Sequence, residues 1–150
     1  MFTERLISRD PVIVRRRVLW GECDPAQVVY TPRFSDYLVS AATWFSRTII
    51  DAAPPGLGAA GLGTPAKAMS LEFHHVLRPD EFFDMAVTVT DVRERTFDLG
   101  VQAHGVDARL RFSGSITLIL IDRATFRSRP LPPHIREALT SYRTSQGQTE

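Results

Sequence analysis

The chain has 150 residues, of which 43% are hydrophobic and 23% charged, with a formal net charge of +1. That length points to one domain, and that composition to an ordinary globular core. So even a charge balance gives no reason to expect nucleic acid or an anionic membrane as a partner.

The opening stretch MFTERLISRDP has no uninterrupted apolar core of a signal peptide. Next, VIVRRRVLW, Val12 to Trp20, reads as a strand: Val12, Val14, Val18 and Trp20 share a face that Arg16 interrupts. The basic run Arg15 to Arg17 alternates between faces and makes no single patch. Cys23 is the only cysteine, which excludes an intrachain disulfide and fits a reducing, cytoplasmic setting. It lies in GECDPAQVVYTP, Gly21 to Pro32, where a carboxylate and a proline precede a short apolar run. Thr31-Pro32 is a helix start signal, with Thr as N-cap and Pro at the first helical position. Phe34, Tyr37, Leu38, Ala41, Phe45 and Ile49 then recur at helical spacing. Val39, Trp44 and Ile50 make other sides of that helix apolar too, so other structure is expected to enclose it.

DAAPPGLGAAGLGTP reads as a flexible linker. Its Gly56-x-Gly58-x-x-Gly61 has the letters of a dinucleotide-binding turn, but it follows a helix and leads into a strand, the wrong context. From Lys67 the period is two: Met69, Leu71 and Phe73; then Phe83, Met85, Val87 and Val89; then Phe97, Leu99, Val101 and Ala103; then Leu110, Phe112, Ile116, Leu118 and Leu120. The longest apolar run, Leu118 to Ile121, is far too short to span a bilayer. LPPHIREALTSY predicts a short terminal helix, and residues 143–150 a disordered tail. Short turns between the strands imply antiparallel pairing. One apolar helix and a sheet with a single apolar face must cover each other. The expected class is α+β: one domain over 1–150 with its core at 12–140, a curved antiparallel sheet of about five strands around one long central helix.

Asp24 lies seven residues before Thr31, so a loop can fold both toward one pocket. The first N–H groups of a helix lack internal partners and carry about half a positive charge. An oxyanion placed there is stabilised, and a carboxylate beside it suits acyl transfer. A thiolate leaves with a pKa of about 8.5 and needs little proton assistance, which favours a thioester over an ester or amide. The plain alternative for Asp24 is a turn cap with Pro25. Cys23 reads as a buried, inert thiol. Glu22 reads as a solvated loop charge, or a neighbour that tunes Asp24. His74 and His75 are adjacent, so in a strand they would point to opposite faces, poor geometry for a metal; no metal site is expected.

GECDPAQVVYTPRF resembles the Asp-x-x-x-x-Val-Val-Tyr/Trp-x-x-Tyr/Phe motif of hot-dog-fold acyl-CoA thioesterases, most of all the 4-hydroxybenzoyl-CoA thioesterase branch. The likeness extends through Gly63-Thr64-Pro65, VRERTF at Val92 to Phe97 and LPPHIREAL, over residues 12–139. It implies the hot-dog fold and an acyl-CoA substrate, with coenzyme A as part of that substrate and no separate cofactor. A single such sheet has exposed edges and a helix not fully covered, so at least a dimer is expected, a homodimer or homotetramer. The resemblance implies Asp24 as nucleophile or general base and the Thr31 backbone N–H as oxyanion donor. Arg93 and Arg95 would meet the nucleotide phosphates, which guanidinium forks suit. Tyr30, Val39 and Thr64 would lie along the substrate. The chain departs from the pattern at Gln27, where the family has glycine, and at Glu94, which dilutes the basic cluster. Val39 stands where the hydroxybenzoyl branch places a carboxylate, implying a less polar acyl group, aromatic or short and branched. Two other readings compete. One is a hot-dog module that holds an acyl-CoA or an apolar carboxylate without turnover. The other, a hydratase, is weaker because no Asp/His or Glu/His pair stands out near Asp24.

Overall fold

The computed structural model describes residues 2–147. Strands β1 (Glu4–Arg9) and β2 (Val12–Arg17) open the chain as a hairpin. Helix α1 (Arg33–Phe45) follows and runs into a π-type turn, Ser46–Ile50. Six more strands come next: β3 (Leu62–Gly63), β4 (Ala66–Phe73), β5 (Phe82–Val92), β6 (Thr96–Gly105), β7 (Leu110–Ile119) and β8 (Ile121–Asp122). Helix α2 (Pro133–Gly147) closes the described chain. The main sheet has six strands in the order β1-β2-β5-β6-β7-β4, with every neighbouring pair antiparallel. β3 and β8 form a separate pair. This is the α+β hot-dog arrangement, a sheet wrapped on one long helix.

The period of two sets which residues face the helix. Met85 lies opposite Ala103, Val87 opposite Val101 and Val89 opposite Leu99, and Leu99 lies opposite Ile116 on its other side. All of these are buried. From α1, Tyr37, Leu38, Ala41 and Phe45 meet that face with no exposed surface. Burying side chains as large as Leu or Phe stabilises the fold by about 1.5–3 kcal/mol each. Gly114 on β7 makes the close approach possible. A Cβ there would sit 3.3 Å from Leu38 and 3.1 Å from Leu71. Four rings, Phe34, Tyr37, Phe83 and Phe112, fill one end of the core, with centroids 5.0–6.4 Å apart.

Several expectations need correction. The sheet has one strand more than expected, because β1 pairs along β2. Trp20 does not share the buried face of β2. The strand stops at Arg17, a 3-10 turn takes Trp20–Glu22, and the indole is 62% exposed with its N–H donated to Asp80. Thr31 is not a side-chain cap: Pro32 takes the cap position, no side chain caps it, and the helix starts at Arg33. The segment 51–65 is packed rather than loose. Leu57 and Leu62 are buried, Asp51 Oδ1 accepts the Leu57 N–H at 2.9 Å, and β3 pairs with β8. Residues 143–147, placed in a tail, continue α2. Arg143 donates to the Thr90 carbonyl at 2.8 Å and Ser145 to Asp10 at 3.2 Å, so the polar end is held by β5 and the β1–β2 turn. Residues 148–150 lie outside the described residues. Among the described residues, no helix is long and apolar enough to cross a membrane.

Candidate functional site

The segment between β2 and α1 folds as a small hairpin. Tyr30 N–H donates to the Glu22 carbonyl at 2.8 Å and Asp24 N–H to the Val28 carbonyl at 2.9 Å, with Cys23 bridged to Val29 between them. Its loop is the three residues Pro25, Ala26 and Gln27, closed by Gln27 N–H on the Asp24 carbonyl at 2.9 Å. In such a loop the third residue is left-handed, and Gln27 has φ 64°. That is why glycine suits this position: a side chain there costs about 1–2 kcal/mol of backbone strain. One leg of the hairpin carries Asp24 and the other ends at Thr31.

Asp24 plays a turn role and also faces a cleft. Its Oδ1 accepts the Ala26 N–H at 2.8 Å, as a turn cap would. The residue is half-buried, and among the described residues nothing bonds its second oxygen. The same cleft, of about 380 Å³, is lined by Thr31, Phe34, Phe73, His75 and Val76. The helix start that borders it leaves few amides free. Arg33 N–H donates to Tyr30, Phe34 N–H to Thr31 and Ser35 N–H to Pro32, at 2.8, 3.2 and 3.3 Å. Pro32 has no N–H, so the Thr31 N–H is the amide at this turn without an acceptor among the described residues. Asp24, with its half-free carboxylate, and Thr31, with its unpaired N–H, border one cleft, a combination that suits attack on a carbonyl carbon with its oxygen held.

The remaining candidates separate within one subunit. Val39 and Thr64 line a second cleft of about 230 Å³, with Ala66, Ile116 and Leu118. Val39 sits five residues past Phe34, roughly 7.5 Å along the helix. Tyr30 is exposed and borders neither cleft. Arg93 and Arg95 stand in the β5–β6 turn, at the Ile119 end of β7, whereas the Asp24 cleft lies at the Phe112 end. Arg93 is already engaged. It ion-pairs with Asp91 and Asp98, each at 2.7 Å, and donates to Thr96 at 2.9 Å. The bonds to Asp98 and Asp91 push its pKa further above the ordinary guanidinium range. Arg95 donates to the Ser128 carbonyl at 2.7 Å and stays exposed, on the loop side that also carries Arg127 and Arg129.

Two residues near Asp24 differ from their sequence reading. Glu22 is buried rather than solvated. It meets Arg16, the cation that interrupts the apolar face of β2, and accepts the Tyr37 hydroxyl at 2.9 Å. The polar break in β2 was the available signal for a buried partner. His74 and His75 do not simply alternate, because β4 ends at Phe73 and both N–H groups then bond the single Arg111 carbonyl, at 2.9 and 3.1 Å. Two residues opposing one make a bulge. Both histidines border the Asp24 cleft, though His74 Nε2 also reaches Ser113 Oγ at 3.2 Å. Burial pushes the Cys23 thiol up, helped by the charges of Glu22, Asp24 and Asp80, so it is a poor nucleophile. Among the described residues, no three His, Cys, Asp or Glu side chains converge to hold a metal.

Comparison with known proteins bears on the same segment. The sequence profile of the thioesterase-like superfamily matches residues 18–139. Among curated proteins none matches the chain. Solved structures do match. A hypothetical protein from Staphylococcus aureus in complex with CoA superposes with a TM-score of 0.80 at 11% identity, over 97% of this chain and 88% of that one. A DHNA-CoA thioesterase from Staphylococcus aureus gives 0.79 at 16%, over 92% and 94%. A thioesterase superfamily protein from Jannaschia sp. CCS1 gives 0.75 at 24%, over 86% and 90%. At these identities the structural likeness carries the fold, and the profile, which spans most of the chain, carries the family. The chain therefore belongs to the thioesterase-like superfamily, as a hot-dog protein of the thioester hydrolase class.

Proposed function

We propose that the chain hydrolyses acyl-CoA thioesters, with Asp24 as nucleophile or general base and the Thr31 N–H as oxyanion donor. The observation that supports this most is the pairing on one cleft of a carboxylate with an open oxygen and a backbone amide with no acceptor. In the reaction the thioester carbonyl carbon gains an oxygen, from water that Asp24 deprotonates or from Asp24 itself, in which case water afterwards cleaves the acyl–Asp24 anhydride to free the acid and restore the carboxylate. The C–S bond then breaks, and the thiolate departs without a strong acid, since its pKa is about 8.5. Solved relatives whose names include CoA thioesterases agree with coenzyme A as the carrier. The aromatic and aliphatic lining by Phe34, Phe73 and Val76 favours an apolar, aromatic or branched acyl group.

The working unit in this proposal is at least a dimer, formed along β4. That strand is one of the sheet's two open edges, the other being β1, and it exposes Met69 and Phe73. Exposed apolar edges are normally covered. Two copies of β4 related by a two-fold axis would run antiparallel, so the Phe73 end of one would face the Ala66 end of the other. The Asp24 cleft adjoins the first end and the Val39–Thr64 cleft the second. Pairing along β4 would therefore unite, across the interface, the candidates that one subunit keeps apart. A reducing cytoplasmic location fits the single free cysteine.

Thiol release from a panel of acyl-CoAs, read with a thiol reagent, tests the activity. Asp24→Asn should remove most turnover and leave substrate binding; turnover at the wild-type rate would refute its role. One observation favours a second reading, a binding module without turnover: Ala26 already holds one Asp24 oxygen in the turn. Acyl-CoA binding by the wild type with no thiol released would select it.

A further inference from the structure

The hairpin that carries Asp24 and Thr31 has one base, and Glu22 occupies it. Its carbonyl accepts the Tyr30 N–H at 2.8 Å, where the two legs meet. Asp24 follows two residues later on one leg, and Thr31 comes directly after Tyr30 on the other. The Glu22 side chain turns inward and is fully supplied with donors. Oε1 accepts the Leu19 N–H at 2.8 Å and the Tyr37 hydroxyl at 2.9 Å, and Oε2 pairs with Arg16 Nη2. Arg16 spends its other terminal nitrogen on Glu4 at 2.6 Å, and Glu4 in turn accepts from Ser40 and from the Trp44 indole at 2.9 Å. The hairpin base is thereby tied to β1, β2 and α1 at once. Packing alone does not need this arrangement: taking a carboxylate out of water costs several kcal/mol, and apolar side chains would fill the space. An ion pair does supply direction, and the base is where a small rotation changes the gap between the two legs.

We propose that Glu22 is a positioning residue: its buried, ion-paired carboxylate fixes the distance between the Asp24 carboxylate and the Thr31 N–H. The proposal rests on the thioesterase reading above. Glu22 touches no substrate; it acts through the two groups that do. Reacting groups must be held to within about 0.5 Å, and a misplacement of about 1 Å can cost roughly a hundredfold in rate.

The test uses the full chain, with the acyl-CoA that the wild type hydrolyses best. Glu22→Gln keeps the shape but turns an amide donor toward Arg16. Its kcat should fall about 10–100-fold with KM within about twofold, while circular dichroism stays native. Tyr37→Phe removes one bond of the clamp and keeps the others, so its kcat should fall less, by severalfold. If Glu22→Gln does not fold, Tyr37→Phe carries the same kcat-against-KM split. Wild-type kcat in both variants would overturn the proposal. So would a loss that only tracks the fraction of unfolded protein, since that marks a merely structural role. A wild type that binds acyl-CoA yet releases no thiol removes the thioesterase reading and this proposal with it, a result distinct from an active wild type with unaffected variants.

Discussion

Arg16→Met tests the buried network by deleting its only cation. Arg16, Glu4 and Glu22 have side chains 13%, 17% and 9% exposed, so all three are largely withdrawn from water. Removing one partner of a buried pair costs about 3–5 kcal/mol, because a charge is left without its counter-ion. The small remaining exposure puts this case near the lower end, about 3 kcal/mol. Arg16 also lies 5.0 Å from the centre of the Tyr37 ring, a contact worth about 0.5–1 kcal/mol. Methionine keeps much of the stem's volume, so cavity formation adds little. The expected loss is about 3–4 kcal/mol, or roughly 6–16 °C in Tm for a chain of this size. Urea unfolding followed by circular dichroism reads it directly. The pH dependence gives a second check. Burial alone would raise the Glu4 pKa, but bonds from Ser40, Trp44 and Arg16, with the Arg16 charge, outweigh it and hold the group below its ordinary value. A depressed folded pKa contributes stability that is present above the unfolded value and lost as pH falls through the folded one. Without Arg16 the burial effect remains and part of the opposing effect goes, so Glu4 takes a proton more readily. The gap between variant and wild type should therefore narrow as pH falls from neutral to and below 4.5, the ordinary glutamate value. A deficit under about 1 kcal/mol at neutral pH, or one that stays constant over that range, would refute the argument.

Two further outcomes follow from contacts elsewhere. The Tyr142 hydroxyl accepts the Val12 N–H at 2.9 Å and donates to the Val87 carbonyl, tying β2, β5 and α2 together where all three are buried. Tyr142→Phe leaves both groups unpaired and should cost about 2–4 kcal/mol in urea unfolding, with kcat unchanged in the folded fraction; a cost under about 0.5 kcal/mol would show that water replaces the hydroxyl. For coenzyme A, Arg95→Ala should raise KM severalfold for acyl-CoA but not for an acyl-pantetheine that lacks the nucleotide phosphates. Arg93→Ala should change KM less, because Asp91 and Asp98 already hold that guanidinium, and the reverse order would assign the phosphates to Arg93.

Apolar periodicity made β2, α1 and strands β4 to β7 legible, because each buries one face against another element. β1 was hidden because Glu4, which faces the helix, is polar; its burial depends on Arg16, Ser40 and Trp44, which lie far from it in sequence. The length of α2 was hidden for a similar reason: Arg143 and Ser145 carry no helical pattern and are held by partners on the sheet and the β1–β2 turn. Around the cleft, Asp24 and Thr31 could be brought together from spacing and resemblance, and one cleft contains both. Glu22 and His75 could not. The first takes its character from Arg16, and the second borders the cleft because β4 ends in a bulge, which no local pattern announces.

The two tryptophans of this chain report on opposite surroundings. Trp20 lies open to solvent, whereas the half-buried Trp44 ring donates its N–H straight to Glu4. A collisional quencher would silence the first and leave the second, so the residual fluorescence belongs to the interior charges. Any event that loosens them, from acid to an amino-acid change at Arg16, should register as a change in emission from Trp44 with no label added.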